Sequence, residues 1–242
     1  MKKLILLPLL FCFGIISAQE LEGAWKLIQK NGEAVSDREV IKIVQDGYFA
    51  LGSKNLSNNE FLGAAGGELS LEDETLTEIR DFDTYDAKNI GTEQEYNISW
   101  EGENKMEISD GRTTKIWERV SEESDALTGA WVITGRERNG EMNTMTPGDR
   151  RTVKILSGGR FQWIAFNSAT KEFNGSGGGT YTAENGKYIE NIEFFSRDSS
   201  RVGASLDFKY EVKDGKWHHR GKSSKGDPIY EIWSPYSEAY QK

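Results

Sequence analysis

Cysteine is almost missing from this chain: of 242 residues only Cys12 is one, and it lies inside an N-terminal apolar run. That run, Leu4 to Ile16, is about 13 residues long, against the roughly 20 a spanning helix needs. No other stretch approaches it, so no membrane-spanning helix is expected. Histidine is nearly absent too. His218 and His219 are adjacent, and neighbours on a strand point to opposite faces, so they cannot hold one metal ion together. No serine sits in a Gly-x-Ser-x-Gly elbow, which argues against a catalytic triad. An excess of basic charge is also lacking: 30 Lys and Arg face 39 Asp and Glu, a formal charge of −9. Such a chain repels nucleic acid and anionic lipid.

The N-terminus has the layout of an export signal: Met1-Lys2-Lys3, the apolar run, then Ser17-Ala18-Gln19 as a small-residue cleavage point. Bulky Phe11 before Cys12, and an apolar run that continues past it, speak against a lipoprotein signal. Removing residues 1–18 takes away Lys2, Lys3 and Cys12, leaving a periplasmic or secreted chain of net charge −11. It has no disulfide, so packing alone must hold it together. Apolar residues make up only 36% of the chain, but aromatics at 11% bring much burial per residue.

What is present is a repeat. Leu21-Glu22-Gly23-Ala24-Trp25 returns as Leu127-Thr128-Gly129-Ala130-Trp131, and Ile116-Trp117 as Ile232-Trp233. From Gly47 to Tyr96 the matching residues keep one offset of 112 positions: Phe49 with Phe161, Phe61 with Phe173, Glu78 with Glu190, Phe82 with Phe194, Tyr96 with Phe208. This divides the chain into copy one (19–120), an acidic linker (121–126), copy two (127–236) and a tail (237–242).

Within each copy the apolar period is two. Leu206, Phe208, Tyr210 and Val212 alternate with Asp207, Lys209, Glu211 and Lys213. Turn dipeptides such as Asp46-Gly47, Asn185-Gly186 and Asp214-Gly215 separate the runs. Eight strands are predicted per copy, near 21–29, 39–46, 47–53, 65–71, 75–83, 93–100, 104–109 and 113–120, then near 127–134, 151–157, 160–166, 178–183, 187–196, 205–213, 216–222 and 228–234. Eight antiparallel strands expose two edges unless the sheet closes, so the expected fold is all-β, two tandem eight-stranded up-and-down barrels. A pair of open sandwiches is the alternative.

The Gly-x-Trp that opens each copy, Gly23-Ala24-Trp25 and Gly129-Ala130-Trp131, resembles the first-strand signature of lipocalins, and the chain is similar to exported two-repeat lipocalin-like proteins of Gram-negative bacteria. The resemblance implies calycin-type barrels that bind a small, partly apolar molecule. It also implies a tryptophan closing one barrel end with a last-strand cation packed on it. Arg119 fits that part beside Trp25; in copy two Ser234-Pro235-Tyr236 follows Trp233 with no arginine.

Tyr188, Glu190, Ile192 and Phe194 share the more apolar face of one strand, which points Glu190 inward; Leu76, Glu78, Arg80 and Phe82 do the same in copy one. A buried carboxylate must be paired or protonated. Arg80 is a ready partner for Glu78, but copy two has Ile192 there, so Tyr188, Arg220 or a ligand must serve Glu190. On this asymmetry the second barrel is the expected binding site, with Glu190, Tyr188, Phe194, Phe208, Tyr210, Trp163 and Trp217 as its ligand-binding residues. Phe161, Trp163 and Ala165 face one way and Gln162, Ile164 and Phe166 the other, so a second apolar face needs cover, from the first barrel, a loop or a protein partner at 160–166. Asp81, Asp83 and Asp86 lack the spacing of a calcium loop and are expected to be a solvated acidic loop. Gly175 to Gly179 is a turn or bulge, since it lacks the Gly-Lys-Ser/Thr of a phosphate loop. The sequence thus points to a non-catalytic binding protein without metal or cofactor; a structural or interaction module with self-filled barrels is the first alternative, and an enzyme using an inward carboxylate the second.

Overall fold

The computed structural model describes residues 18–223 and 225–241. The proposed export signal therefore lies outside the described residues, apart from Ala18. The first copy forms β1 (Gly23–Lys30), β2 (Glu33–Ala34), β3 (Arg38–Gln45), β4 (Tyr48–Asn55), β5 (Phe61–Glu72), β6 (Thr75–Asp83), β7 (Glu93–Trp100), β8 (Lys105–Ser109) and β9 (Thr114–Ser121). The second forms β10 (Gly129–Arg138), β11 (Glu141–Thr144), β12 (Arg150–Ser157), β13 (Arg160–Asn167), β14 (Glu172–Glu184), β15 (Lys187–Phe195), β16 (Ser205–Lys213), β17 (Lys216–Lys222) and β18 (Pro228–Pro235). A one-turn helix, α1 (Tyr236–Ala239), follows.

Each copy is a closed eight-stranded antiparallel barrel in sequential up-and-down order, sealed by β1 against β9 and by β10 against β18. The short β2 and β11 were not expected from the sequence; each adds a flap to the far end of the first strand. Closure leaves no long free edge, the liability of an open sheet. Turns with left-handed residues at Asp46-Gly47, Asn185-Gly186 and Asp214-Gly215 connect the hairpins as their dipeptides predict.

The glycine-rich stretches are strand, with a bulge in each. The β5–β6 ladder pairs Gly66 with Phe82 and Gly67 with Arg80, skipping Asp81; β14–β15 pairs Gly178 with Phe194 and Gly179 with Ile192, skipping Glu193. A Cβ on Gly179 would stand 2.0 Å from the Asn191 carbonyl oxygen, so only glycine lets the bulged strand lie this close. The extra residue reverses the alternation beyond it. Phe82 and Phe194 swing out of their barrels, while Asp83 and Phe195 turn toward the interior.

Three apolar clusters result. One fills the first barrel around Trp25, Leu76, Met106 and Trp117, and one the second around Trp131, Phe161, Tyr188 and Trp217. The third joins Ile43, Tyr48, Ala50 and Phe82 of the first barrel to Ile155, Ile164, Phe166 and Tyr236 of the second. The outer face of 160–166 is therefore covered by the first barrel. Equivalent residues meet at this seam: Ser157 Oγ donates to Gln45 Oε1 across 112 positions at 2.8 Å, and Phe61 stacks on Phe173 at 5.9 Å. The two copies thus face each other in a two-fold-like relation.

Asp81 and Asp83 do not form the solvated loop that their charge suggests; both are buried. Asp81 sits in the seam, 2.6 Å from Arg151, and accepts from the hydroxyls of Tyr48 and Tyr236 at 3.1 Å. Asp83 accepts from Arg80, from Asn89 and from the backbone of Tyr85 and Asp86. The tail is docked too, since Tyr240 lies 3.9 Å from the Arg151 guanidinium. Among the described residues no helix is long and apolar enough to cross a membrane.

Candidate functional site

Each barrel is closed at the end where its first strand begins. The Trp25 indole donates to the Leu21 carbonyl and the Trp131 indole to the Leu127 carbonyl, both at 2.8 Å. Arg119 lies 4.1 Å over Trp25 and donates to the backbone oxygens of Glu22 and Glu20. In the second barrel Pro235 stands opposite Trp131, where Arg119 stands opposite Trp25.

At the other end the second barrel opens into a cavity of about 800 Å³. Trp163, Ile192, Phe195, Leu206, Phe208 and Ile229 form apolar wall; Arg197, Asp198, Arg201 and Lys225 stand at the mouth. Lys154, Glu190, Glu231 and Arg136 bring charge to the interior, and His219 a polar ring. The matching level of the first barrel is crossed by Arg80, which donates to Glu78, to Asp83 and to the Tyr96 hydroxyl. Ile192, Phe195 and Phe208 occupy the Arg80, Asp83 and Tyr96 positions in the second barrel. Replacing Arg80 and two of the polar groups it bonds with apolar ones removes the crossing.

The partner of Glu190 is Lys154, which the sequence reading did not select. Its Nζ lies 2.6 Å from Glu190 Oε1, and the Tyr188 hydroxyl donates to the same oxygen at 2.9 Å. Lys42 and Glu78 repeat the pair at 2.6 Å. Burial opposes ionisation of Glu78, but Lys42 and Arg80 outweigh it and hold the carboxyl below its usual range. Burial, aided by the Glu190 carboxylate, pushes the Tyr188 hydroxyl well up, so it stays a donor. Lys154 is further held by aromatic faces, its Nζ 5.4 Å from Tyr188, 5.2 Å from Trp217 and 5.2 Å from Trp233. Arg220, the other candidate partner, stacks instead on Tyr230 at 3.9 Å.

A second polar group lies beside this pair. Glu231 accepts from Arg136, from the Trp233 indole at 3.2 Å, and sits 3.4 Å from His219 Nδ1. Burial would raise the Glu231 carboxyl, yet His219, Arg136 and Lys154 hold it down at about 2. Burial also lowers the His219 imidazole, against the pull of Glu231, and its Nε2 has no hydrogen-bond partner among the described residues. His218 points to the other face and bonds to the Tyr230 hydroxyl.

Of the seven residues selected from sequence, Glu190, Phe208 and Trp163 line the cavity. Tyr188 and Trp217 are fully buried beneath it, and Tyr210 packs at the edge of the same core. Phe194 does not share their face. The bulge at Glu193 turns it outward, where it stacks on Phe61 in the inter-barrel seam, and Phe195 takes the inward position. Lys154 was legible in principle: it matches Lys42 at the same offset of 112 and interrupts an apolar alternation.

These features define a tandem pair of small antiparallel β-barrels, one of them open to an interior cavity. No family model matches the chain, and no curated protein matches it.

Proposed function

We propose that the second barrel binds a small, partly apolar molecule in its lumen and carries out no chemistry on it. The observation that carries this reading is the cavity of about 800 Å³ walled by Trp163, Ile192, Phe195, Leu206, Phe208 and Ile229. That volume falls within the roughly 300–1,000 Å³ range of small-molecule pockets. Apolar walls supply affinity at about 25 cal/mol per Å² of surface removed from water. Glu190 is tied to Lys154 and Tyr188, so it serves as an orienting group rather than a free base. The first barrel, crossed by Arg80, has the structural role. The charged segment and apolar run at residues 1–18 support export of the chain to the periplasm or beyond.

Native mass spectrometry of protein purified from its own host tests the reading. A co-purifying mass is expected on the wild type. Ala165→Phe, which fills the lumen beside Trp163, is expected to remove that mass while the far-ultraviolet circular dichroism is kept. A folded Ala165→Phe protein that still carries the ligand would place the site elsewhere.

A further inference from the structure

The mouth of the second barrel continues into a groove of about 350 Å³ that shares Arg136, Thr152, Ala165 and Arg197 with the lumen. Among the described residues five arginines line this groove, namely Arg136, Arg138, Arg150, Arg151 and Arg197, and no Asp or Glu does. The chain as a whole has more acidic than basic residues, 39 against 30, so this lining is not its average surface. Arg136 and Arg151 are paired with Glu231 and Asp81. Arg138, Arg150 and Arg197 are exposed and have no ionic partner among the described residues.

We infer that the ligand of the second barrel is an amphipathic anion, its apolar part in the lumen and its carboxylate, sulfonate or phosphate head held by Arg138, Arg150 and Arg197. This rests on the lumen-binding reading above and adds the chemistry of the head group. Guanidinium groups present forked donors matched to such oxyanions, and three of them around one groove repel each other until an anion enters. Inside the lumen Glu190 and Glu231 are already neutralised by Lys154 and Arg136, so they do not oppose the anion. A cationic amphiphile would meet five arginines and no carboxylate among the described residues of this groove.

The test compares two fluorescent probes with one ring skeleton, 8-anilinonaphthalene-1-sulfonate and the uncharged N-phenyl-1-naphthylamine, on the full mature chain. The sulfonate is expected to bind at least about tenfold more tightly. The variant Arg138→Gln/Arg150→Gln changes only groove residues; it is expected to weaken the sulfonate about tenfold and leave the neutral probe unchanged. Dodecanoate and dodecyl phosphate, below their micellar concentrations, are expected to displace the sulfonate at about tenfold lower concentration than dodecan-1-ol. Equal binding of both probes, or a glutamine variant that keeps its sulfonate affinity, overturns the arginine site and leaves lumen binding intact. Binding of neither probe overturns lumen binding itself. If the glutamine variant loses both probes, Arg138→Lys/Arg150→Lys decides: retained sulfonate binding upholds the charge requirement, and its loss refutes it.

Discussion

Lys154 Nζ sits 2.6 Å from Glu190 Oε1 inside the second barrel, as Lys42 sits 2.6 Å from Glu78 inside the first. The two strands that supply each pair are not neighbours in the sheet, so the bond spans the lumen.

Removing one member of that pair leaves a buried charge alone. Lys154→Met is expected to cost about 3–5 kcal/mol in urea unfolding, while Lys154→Met/Glu190→Leu recovers most of it, because the desolvation penalty of both ions disappears together. A double variant as unstable as the single one would show that the aromatic cage around Lys154, rather than the pair, carries the stability.

Acid should destabilise the second barrel in a defined window. Glu231 is held at about 2 against an ordinary value of 4.5, so its contribution is full above 4.5 and lost as pH falls toward 2. His219 is depressed below its ordinary 6.5, so its contribution is full above 6.5 and is lost as pH falls through the lowered value. Both act in the same direction. Melting temperature is expected to drop from pH 6.5 downward, and Glu231→Gln should flatten the part below 4.5; an unchanged profile in that variant would put the acid response in other groups.

Arg119→Ala should loosen the closed end of the first barrel. It removes a stack on Trp25 and two bonds to backbone oxygens, a loss of about 1–3 kcal/mol by equilibrium denaturation. The second barrel has Pro235 at that place, so hydrogen exchange is expected to quicken around Leu21 and Trp25 and not around Leu127 and Trp131.

The shared seam predicts cooperative unfolding. Calorimetry of the wild type is expected to give one transition. Phe166→Ala, which empties the contact with Phe82, should cost about 3–5 kcal/mol and separate two transitions. Two transitions already present in the wild type would mean that the seam contributes little.

Much of the fold is legible in the chain because alternation and turn chemistry are local. The run Leu206, Phe208, Tyr210 and Asp214-Gly215 declares strand and turn without reference to anything distant, and the predicted β16 and β17 match the observed bounds. The repeat added to that information, since matching positions recur at a fixed offset of 112 from Gly47 to Tyr96.

The site was harder to read. Plain alternation through Glu193 puts Phe194 on the face of Glu190, and the bulge that reverses it depends on the partner strand β14. Asp81 looked like surface charge because its neutralising partner, Arg151, is 70 positions away in the other barrel.

Taken alone, the amino-acid sequence determined the repeat, its period-two strands and the turns between them, for those follow from neighbours within a few residues. The tertiary structure alone decided which charges are satisfied, which aromatic rings face inward, and that three arginines meet at one mouth. Those depend on distances across a lumen or a seam, and chain order does not encode such distances locally.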